Sequence, residues 1–456
     1  MKLESKRRNV PEFYNKLLVL VLPIAFQQFM LALVSASDAL MLGSIDQNLL
    51  SAASLAGQIT FVYNLFLAAM TIGTSILAAQ YYGKGDIASV EKILAIVIRI
   101  SIAVSMLFFL ATTFIPGELM LIFTSDMELI EAGVIFLKIV GITYLMCGIS
   151  QIYLSIMKNS GKAIRSMVIS TITVITNILL NAVFIFGLFG FPKMGIAGSA
   201  LATVIARFVE LVWTLLESSQ KESVKIRLDY IKRTDELLRN DFWKYTSPVL
   251  GNELVWGCGF TMYSVIMGHL GLDAVAANSI ANIVKNLIAC FCIGLGSGGG
   301  IIIGQALGAG DLSKAKEYGK QLTVMSIISG VLTGLLLLAI TPWVLQMADL
   351  TMKAAFYLKW MLVMCSLYMV GKSVNSTAIS GIFCAGGDSK FGFLCDTVTL
   401  WCITVPLGFI AAFVLDMPVL AVYFIVNLDE IIKLPAVFVN FKKYRWVRDL
   451  TIKEEE

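Results

Sequence analysis

The feature that most constrains this chain is the length of its apolar runs. The first extends from Leu17 to Gly43, interrupted by little more than Pro23, Gln27, Gln28 and Asp38. About 20 predominantly apolar residues suffice to carry a helix across a bilayer. Marking such runs, and the loop signals between them, gives twelve expected spans. They cover 17–43, 52–81, 93–115, 129–157, 164–190, 195–218, 243–270, 274–305, 319–345, 353–384, 391–415 and 418–440. Composition agrees, because only 14% of residues are charged and 58% are hydrophobic. A soluble domain carries about 25% charged residues, so most of this surface must face lipid. A polytopic helical membrane protein is expected, which excludes soluble enzymes, nucleic-acid partners and disordered scaffolds.

Cysteine and histidine usage narrows the chemistry. All eight cysteines fall inside apolar segments, where they behave as small hydrophobes, and no exposed loop offers a disulfide framework. His269 is the only histidine, so neither a zinc nor a haem site is expected. The basic N-terminus, the apolar run and Ser35-Ala36-Ser37 imitate a cleavable signal. However, the run is too long for one, and the segment has a second copy deep in the chain. It reads as a retained first helix.

The one long polar connection, 219–242, divides the chain into two sets of six spans. The expected organisation is a cytoplasmic segment 1–16, an N-lobe 17–218, a cytoplasmic linker 219–242, a C-lobe 243–440 and a cytoplasmic tail 441–456. With the N-terminus inside, 26 Lys and Arg fall in the inner segments or within two residues of their ends, whereas the outer loops hold Lys193, with Lys353 at a boundary. This asymmetry places both termini in the cytoplasm, with the protein multi-pass in a bacterial-type plasma (inner) membrane.

The two halves are a direct repeat. A shift of 225 residues lays Pro23 on Pro248, Gly43 on Gly268, Gly73 on Gly298 and Gln80 on Gln305, and twelve of the 64 positions from 23 to 86 are identical without a gap. Six helices repeated in the same orientation imply two lobes related by a pseudo-two-fold along the membrane normal. That is a secondary-transporter architecture, in which alternating access comes from rocking of the lobes. Pro23 and Pro248 are expected to kink spans one and seven. Gly73, Gly298 and the run Gly294 to Gly304 are expected to give smooth faces for helix packing.

Several motifs then carry a family resemblance. Asn177-Ile-Leu-Leu-Asn181, running on through Gly187, Gly190-Phe-Pro192 and Gly195-Ile-Ala-Gly198 to Thr203, resembles the multidrug and toxic compound extrusion (MATE) transporters, on their bacterial NorM/DinF-like side. So do Gly386-Gly-Asp-Ser-Lys390, Pro406-Leu407 and the Gln-x-x-Gly-x-Gly-Asp motif that ends spans two and eight. The resemblance covers residues 15–440 and implies the MATE/MOP fold. It also implies export of amphipathic, often cationic organic compounds in exchange for Na⁺ or H⁺. Neither a catalytic step nor a cofactor beyond the coupling ion is implied, and no P-loop pattern occurs. The expected partners are small organic substrates, Na⁺ or H⁺ and the lipid bilayer, with the monomer as working unit.

An intramembrane carboxylate costs about 2.5–3.5 kcal/mol on insertion scales, so each one needs a use or a partner. Asp38 on span one shares a helical face with Gln27, and the resemblance makes it the cation-coupling acid of the N-lobe. On span five, Ser166, Ser170, Thr173, Asn177 and Asn181 recur at helical spacing as one polar stripe. Interhelical hydrogen bonding explains two such residues more easily than five. Asn177 and Asn181 match positions of polar partners of the first-helix acid, and Thr203 on span six is a further oxygen ligand. Some relatives carry an acid where this chain has Asn181, so a two-acid proton relay is not expected here.

Glu253 on span seven, with Trp256 and Phe260 on its face, is the candidate for the substrate or a second cation, and Gln27 joins the substrate set. Na⁺ could be held at Asp38 or at Glu253, and the sequence leaves Na⁺ and H⁺ both open. Lys285 on span eight, beside Asn278, Asn282 and Asn286, offers Glu253 a partner. Lys372 on span ten would repel a cationic substrate, and Asp396 could neutralise it or line the site. Arg207 with Glu210, and Asp429 or Glu430 with Lys433, read as intrahelical pairs. The alternatives are a flippase of the same superfold moving a lipid-linked glycan and, in another class, a non-transporting sensor or scaffold.

Overall fold

A computed structural model describes residues 2–233, 235–348 and 350–452, with the backbone alone for residues 2–12 and for Ser35, Ala36, Ala39, Leu40, Gly43 and Gln47. The basic side chains of the N-terminal segment up to Arg8, the Ser35-Ala36 pair of the cleavage-site mimic and Lys453 of the tail lie outside the described side chains.

All twelve expected spans are helical, and no strand occurs among the described residues. Spans one to six are Lys2–Gly43, Gln47–Lys84, Ile87–Phe114, Met127–Asn159, Ala163–Phe186 and Gly195–Ser218. Spans seven to nine are Glu236–Gly268, Leu272–Gly308 and Leu312–Met347. Ten helices are long and apolar enough to cross a membrane by composition alone. The seventh and twelfth spans fall outside that set for chemical reasons. Glu236–Gly268 carries Lys244, Asn252 and Glu253. Span twelve is broken into Val419–Val426 and Asp429–Lys442, and the second piece opens with Asp429 and Glu430.

Spans ten and eleven are not plain α-helices. Met352–Asn375 continues as a π-helix, Ser376–Phe383, and Ser389–Asp396 continues as a π-helix, Thr397–Thr404, before Val405–Phe413 resumes the α form. Such wide turns are uncommon and concentrate at functional sites. Both begin within a few residues of an intramembrane charge, Lys372 in span ten and Asp396 in span eleven.

The glycines and aspartates of the repeated Gln-x-x-Gly-x-Gly-Asp motif have a structural reading in both copies. Gly85 and Gly310 take φ of +83° and +77°, the left-handed conformation that ends a helix and favours glycine. Asp86 and Asp311 then cap the next helix, their carboxylates accepting from the backbone N–H groups of Ser89 and Lys314.

The chain divides into two compact units, and the division cuts through spans one and two. The C-terminal unit holds the residues up to Phe29, Ala79–Gly85 and everything from Lys244 on; the N-terminal unit holds Met30–Ala78 and Asp86–Trp243. Within the C-terminal unit, span one packs its small side chains on the glycine run of span eight. A Cβ on Gly294 would come within 2.6 Å of Ala25, and one on Gly298 within 2.8 Å of Val21. The two copies of the motif also pack on each other reciprocally: Gly83 lies against the carbonyl of Gln305 and Gly308 against the carbonyl of Gln80, leaving no room for a side chain. Close backbone approach at small residues is how helices associate where lipid removes the hydrophobic driving force.

The tail joins the same unit. Gln80 donates through Nε2 to the carbonyls of Ala385 (2.7 Å) and Arg448 (3.2 Å), and its Oε1 accepts from the N–H of Leu450 at 2.7 Å. Trp446 is fully buried, stacked on Phe441 and pressed against Gly319 and Gly386.

Candidate functional site

In the N-terminal unit the four N-lobe residues singled out from sequence form one hydrogen-bonded chain. Span five presents its polar stripe at the helical repeat, so Asn177 and Asn181 stack one turn apart on a buried face. The amide nitrogen of Asn181 donates to Oδ1 of Asp38 and also to Oδ1 of Asn177 at 3.2 Å. Asn177 in turn donates to the hydroxyl of Thr203 at 3.2 Å, and Thr203 returns its proton to the carbonyl of Ser199 at 3.0 Å. Oδ1 of Asn181 is buried and accepts no hydrogen bond among the described residues. An orphaned acceptor beside a carboxylate costs about 1–3 kcal/mol and is satisfied by any small cation or O–H donor that enters. The remaining stripe residues, Ser166, Ser170 and Thr173, are buried as well; Ser166 reaches the carbonyl of Leu154 at 3.4 Å and Thr173 that of Ile169 at 2.9 Å.

Gln27 is buried at 4% exposure and belongs to the C-terminal unit, whereas Asp38 belongs to the N-terminal one.

Arg207 and Glu210 do form the expected pair, at 2.8 Å. They are not an isolated one, since Glu210 also accepts from Ser150 at 2.5 Å and Gln151 at 2.8 Å on span four. Nearby in the same unit, the rings of Tyr63 and Tyr144 pack at 4.8 Å with 57° between their planes. Tyr63 donates to the carbonyl of Tyr144 at 2.8 Å, and the Tyr144 hydroxyl bonds Thr60 at 3.0 Å. Sequence reasoning did not find this cluster, because tyrosines scattered over apolar spans carry no periodic signal.

The C-terminal unit holds a denser charge network than the sequence suggested. Lys433 pairs with Asp396 at 2.7 Å, with Asp429 at 3.3 Å and with Glu430 at 3.9 Å. Glu430 also takes Lys372 at 3.2 Å and two bonds from the Asn375 amide, one to its carboxylate and one to its carbonyl, both at 2.7 Å. The pairs expected along span twelve are present, but the shortest contact of Lys433 crosses to span eleven. Asp396 therefore neutralises Lys433 and makes no ion pair with Lys372. Asn375, three residues after Lys372 on the same face, was a signal available in the sequence and not taken up.

Glu253, Trp256 and Phe260 are all partly exposed. Trp256 and Phe260 stack at 5.7 Å with 15° between their planes, and the ammonium of Lys372 lies 5.7 Å over the Trp256 ring. Glu253 makes no hydrogen bond or ion pair among the described residues, and the charges that act on it most are Lys372 and Asp396. The pairing expected from sequence does not form: Lys285 lies instead over Tyr368 at 5.0 Å, an alternative open to an ammonium because an aromatic face also attracts it.

An all-helical chain of twelve spans, internally repeated and with buried carboxylates set among amides and hydroxyls, is a membrane transporter by class. The family model described as MatE matches residues 23–183 and again 248–410, once per repeat. The chain belongs to the MatE family, that of the MATE transporters. Relatives include the uncharacterized transporter YisQ of Bacillus subtilis, 22% identical with 93% of each chain covered. Another is the probable multidrug resistance protein NorM of Thermotoga maritima, 21% identical with 98% of this chain and 96% of that protein covered. A structure described as the outward-facing conformation of a multidrug resistance MATE family transporter of the MOP superfamily superposes with a TM-score of 0.86 at 15% identity, covering 94% of this chain and 95% of that one. A MOP superfamily transporter from Pyrococcus furiosus, described as having a binding pocket of reverse polarity, gives 0.85 at 15% identity over the same shares. These two likenesses are of fold.

Proposed function

We propose that the protein is a secondary active multidrug efflux transporter. It exports amphipathic organic compounds, cations among them, in exchange for an inward-moving cation by alternating access in the plasma membrane. The observation that carries this reading is the Asp38–Asn181–Asn177–Thr203 chain with its orphaned Asn181 oxygen. A carboxylate, amide oxygens and a hydroxyl are the donors a hard cation such as Na⁺ takes, and the site holds one carboxylate rather than two. Na⁺ is accordingly the coupling ion we favour over H⁺, and Glu253, unpaired near aromatic rings, is the group that meets the positive end of a substrate. Several relatives are named multidrug resistance proteins, in keeping with a broad range of substrates. The flippase alternative expects a strongly basic site, which three acids against two lysines around Glu430 do not supply.

The test is uptake of a panel of fluorescent organic cations by everted membrane vesicles, in which export from the cytoplasmic face runs into the lumen. Glu253→Gln is expected to raise KM for these by about tenfold while leaving the ion requirement unchanged. Export of no member of the panel by the wild type would sink the reading.

A further inference from the structure

The aromatic face on span seven already carries a cation, and it is the chain's own. The Lys372 ammonium lies 5.7 Å above the Trp256 ring, within the roughly 6 Å over which a cation is attracted by an aromatic face. It is also 3.2 Å from Oε1 of Glu430, whose other oxygen takes the Asn375 amide at 2.7 Å. The side chain is thus tethered at its base and held at its head by two attractions, one aromatic and one ionic. It is not sealed in: its exposure is 20% against 3% for Glu430. Glu253, one turn before Trp256 on the same helix, has no ion-pair partner among the described residues.

We propose that Lys372 is a tethered competitor for organic cations at the Trp256 face, and so a residue that sets the charge selectivity and affinity of this site. This deepens the export reading given above and rests on it. A monocation that reaches the ring must displace the Lys372 ammonium, which then falls back on Glu430. Two positive charges on one aromatic face repel, so the two occupancies exclude each other. Affinity for planar or tetrahedral monocations is held down by the fraction of time that Lys372 spends on the ring. The consequence is specific: Trp256 contributes little to measured cation affinity while Lys372 is present, and much once it is gone.

The experiment is a double-mutant cycle on purified full-length protein, with equilibrium binding of tetraphenylphosphonium and, as a shape-matched anion, tetraphenylborate. Lys372→Met is expected to tighten tetraphenylphosphonium at least tenfold without tightening tetraphenylborate. Trp256→Ala alone is expected to change phosphonium affinity less than threefold, whereas Trp256→Ala in the Lys372→Met background abolishes the gain. That non-additivity is the signature of competition at one ring. Unchanged phosphonium affinity in Lys372→Met, a gain that survives loss of Trp256, or binding in neither variant would each overturn the proposal. If Lys372→Met is not recovered folded, Lys372→Met with Glu430→Gln removes the whole pair and carries the same cycle. Independently, a tenfold loss in Trp256→Ala alone means that the ring binds the probe with Lys372 in place, and the proposal fails. Binding needs no ion gradient, so failure of ion-coupled export would leave this cycle readable on its own.

Discussion

Asn181 turns its amide nitrogen toward the carboxylate of Asp38 and leaves its own carbonyl oxygen buried without a partner. The acid is thereby oriented by a neutral group, and Asn177 and Thr203 extend the arrangement into span six, so the hydrogen bonds link three spans.

This relationship predicts a graded series. Removing a hydrogen bond to a charged group costs about 1.5–3 kcal/mol, which is on the order of ten- to a hundredfold in affinity. Asn181→Ala should weaken the apparent affinity for the coupling ion by that much, and Thr203→Val, which touches Asp38 only through two amides, by less than tenfold. Ion titration of gradient-driven transport checks both. Equal losses in the two variants would mean that the chain does not transmit to Asp38 in the order the hydrogen bonds run.

Lys433 holds three acids together, and its loss should be the most damaging charge deletion in the C-terminal unit. Breaking a buried pair by removing one partner costs about 3–5 kcal/mol, so Lys433→Met should unfold at much lower temperature in detergent. Lys433→Met with Asp396→Asn should recover part of the loss, because Asp396 makes the shortest contact, at 2.7 Å. No recovery in the double variant would place the critical pairing at Asp429 or Glu430.

The buried tail gives a steric prediction. A Cβ on Gly386 would run into the backbone carbonyl of Trp446, whereas one on Gly57 would meet nothing within 4 Å. Gly386→Ala should therefore sharply reduce the yield of monodisperse protein, and Gly57→Ala should match the wild type. Size-exclusion profiles decide it; a well-behaved Gly386→Ala would show that the Trp446 segment yields readily.

Asp311 supplies a pH test outside the membrane-spanning segments. The backbone N–H of Lys314, then the Ser313 hydroxyl and the Lys314 charge, outweigh the cost of burial and hold its carboxyl below the usual carboxylate range. With the folded value below the unfolded one of about 3.9, the stabilisation is complete above that pH and is lost as pH falls through the folded value. Asp311→Ala should cost about 1 kcal/mol at neutral pH, and the difference from wild type should shrink below about pH 4. A difference that stays constant from pH 7 to pH 3 would contradict the capping role.

What the sequence made legible follows from periodicity and repetition. Asn177 and Asn181 are legible because a polar residue every helical turn on an apolar span is visible without coordinates, Thr203 only through the motif that carries the family resemblance, and the twelve spans because lipid demands length. Charge pairing between spans left no such trace. The spacing along span twelve offers Lys433 either Asp429 or Glu430, yet its shortest contact is with Asp396, on another helix. Lys285 was assigned to Glu253 by kind of charge, and an aromatic ring on span ten took it instead. The π-helical segments after Asn375 and Asp396 were illegible because a helix that changes its residues per turn shifts which side chains share a face. The role of Gln80 in binding the tail needed the fold itself, since its partners lie more than 300 residues away.

The central claim, that a cation bound at Asp38 drives export, is tested most directly by following substrate and ion together in proteoliposomes. An organic cation gradient would be imposed, and the opposing movement of Na⁺ and of H⁺ recorded separately for wild type and Asp38→Asn. The account predicts that substrate moves one cation, Na⁺, in the opposite direction, and that Asp38→Asn still binds substrate but moves neither. Ion movement undiminished in Asp38→Asn, or lost only in Glu253→Gln, would contradict it and put the coupling acid in the C-terminal unit.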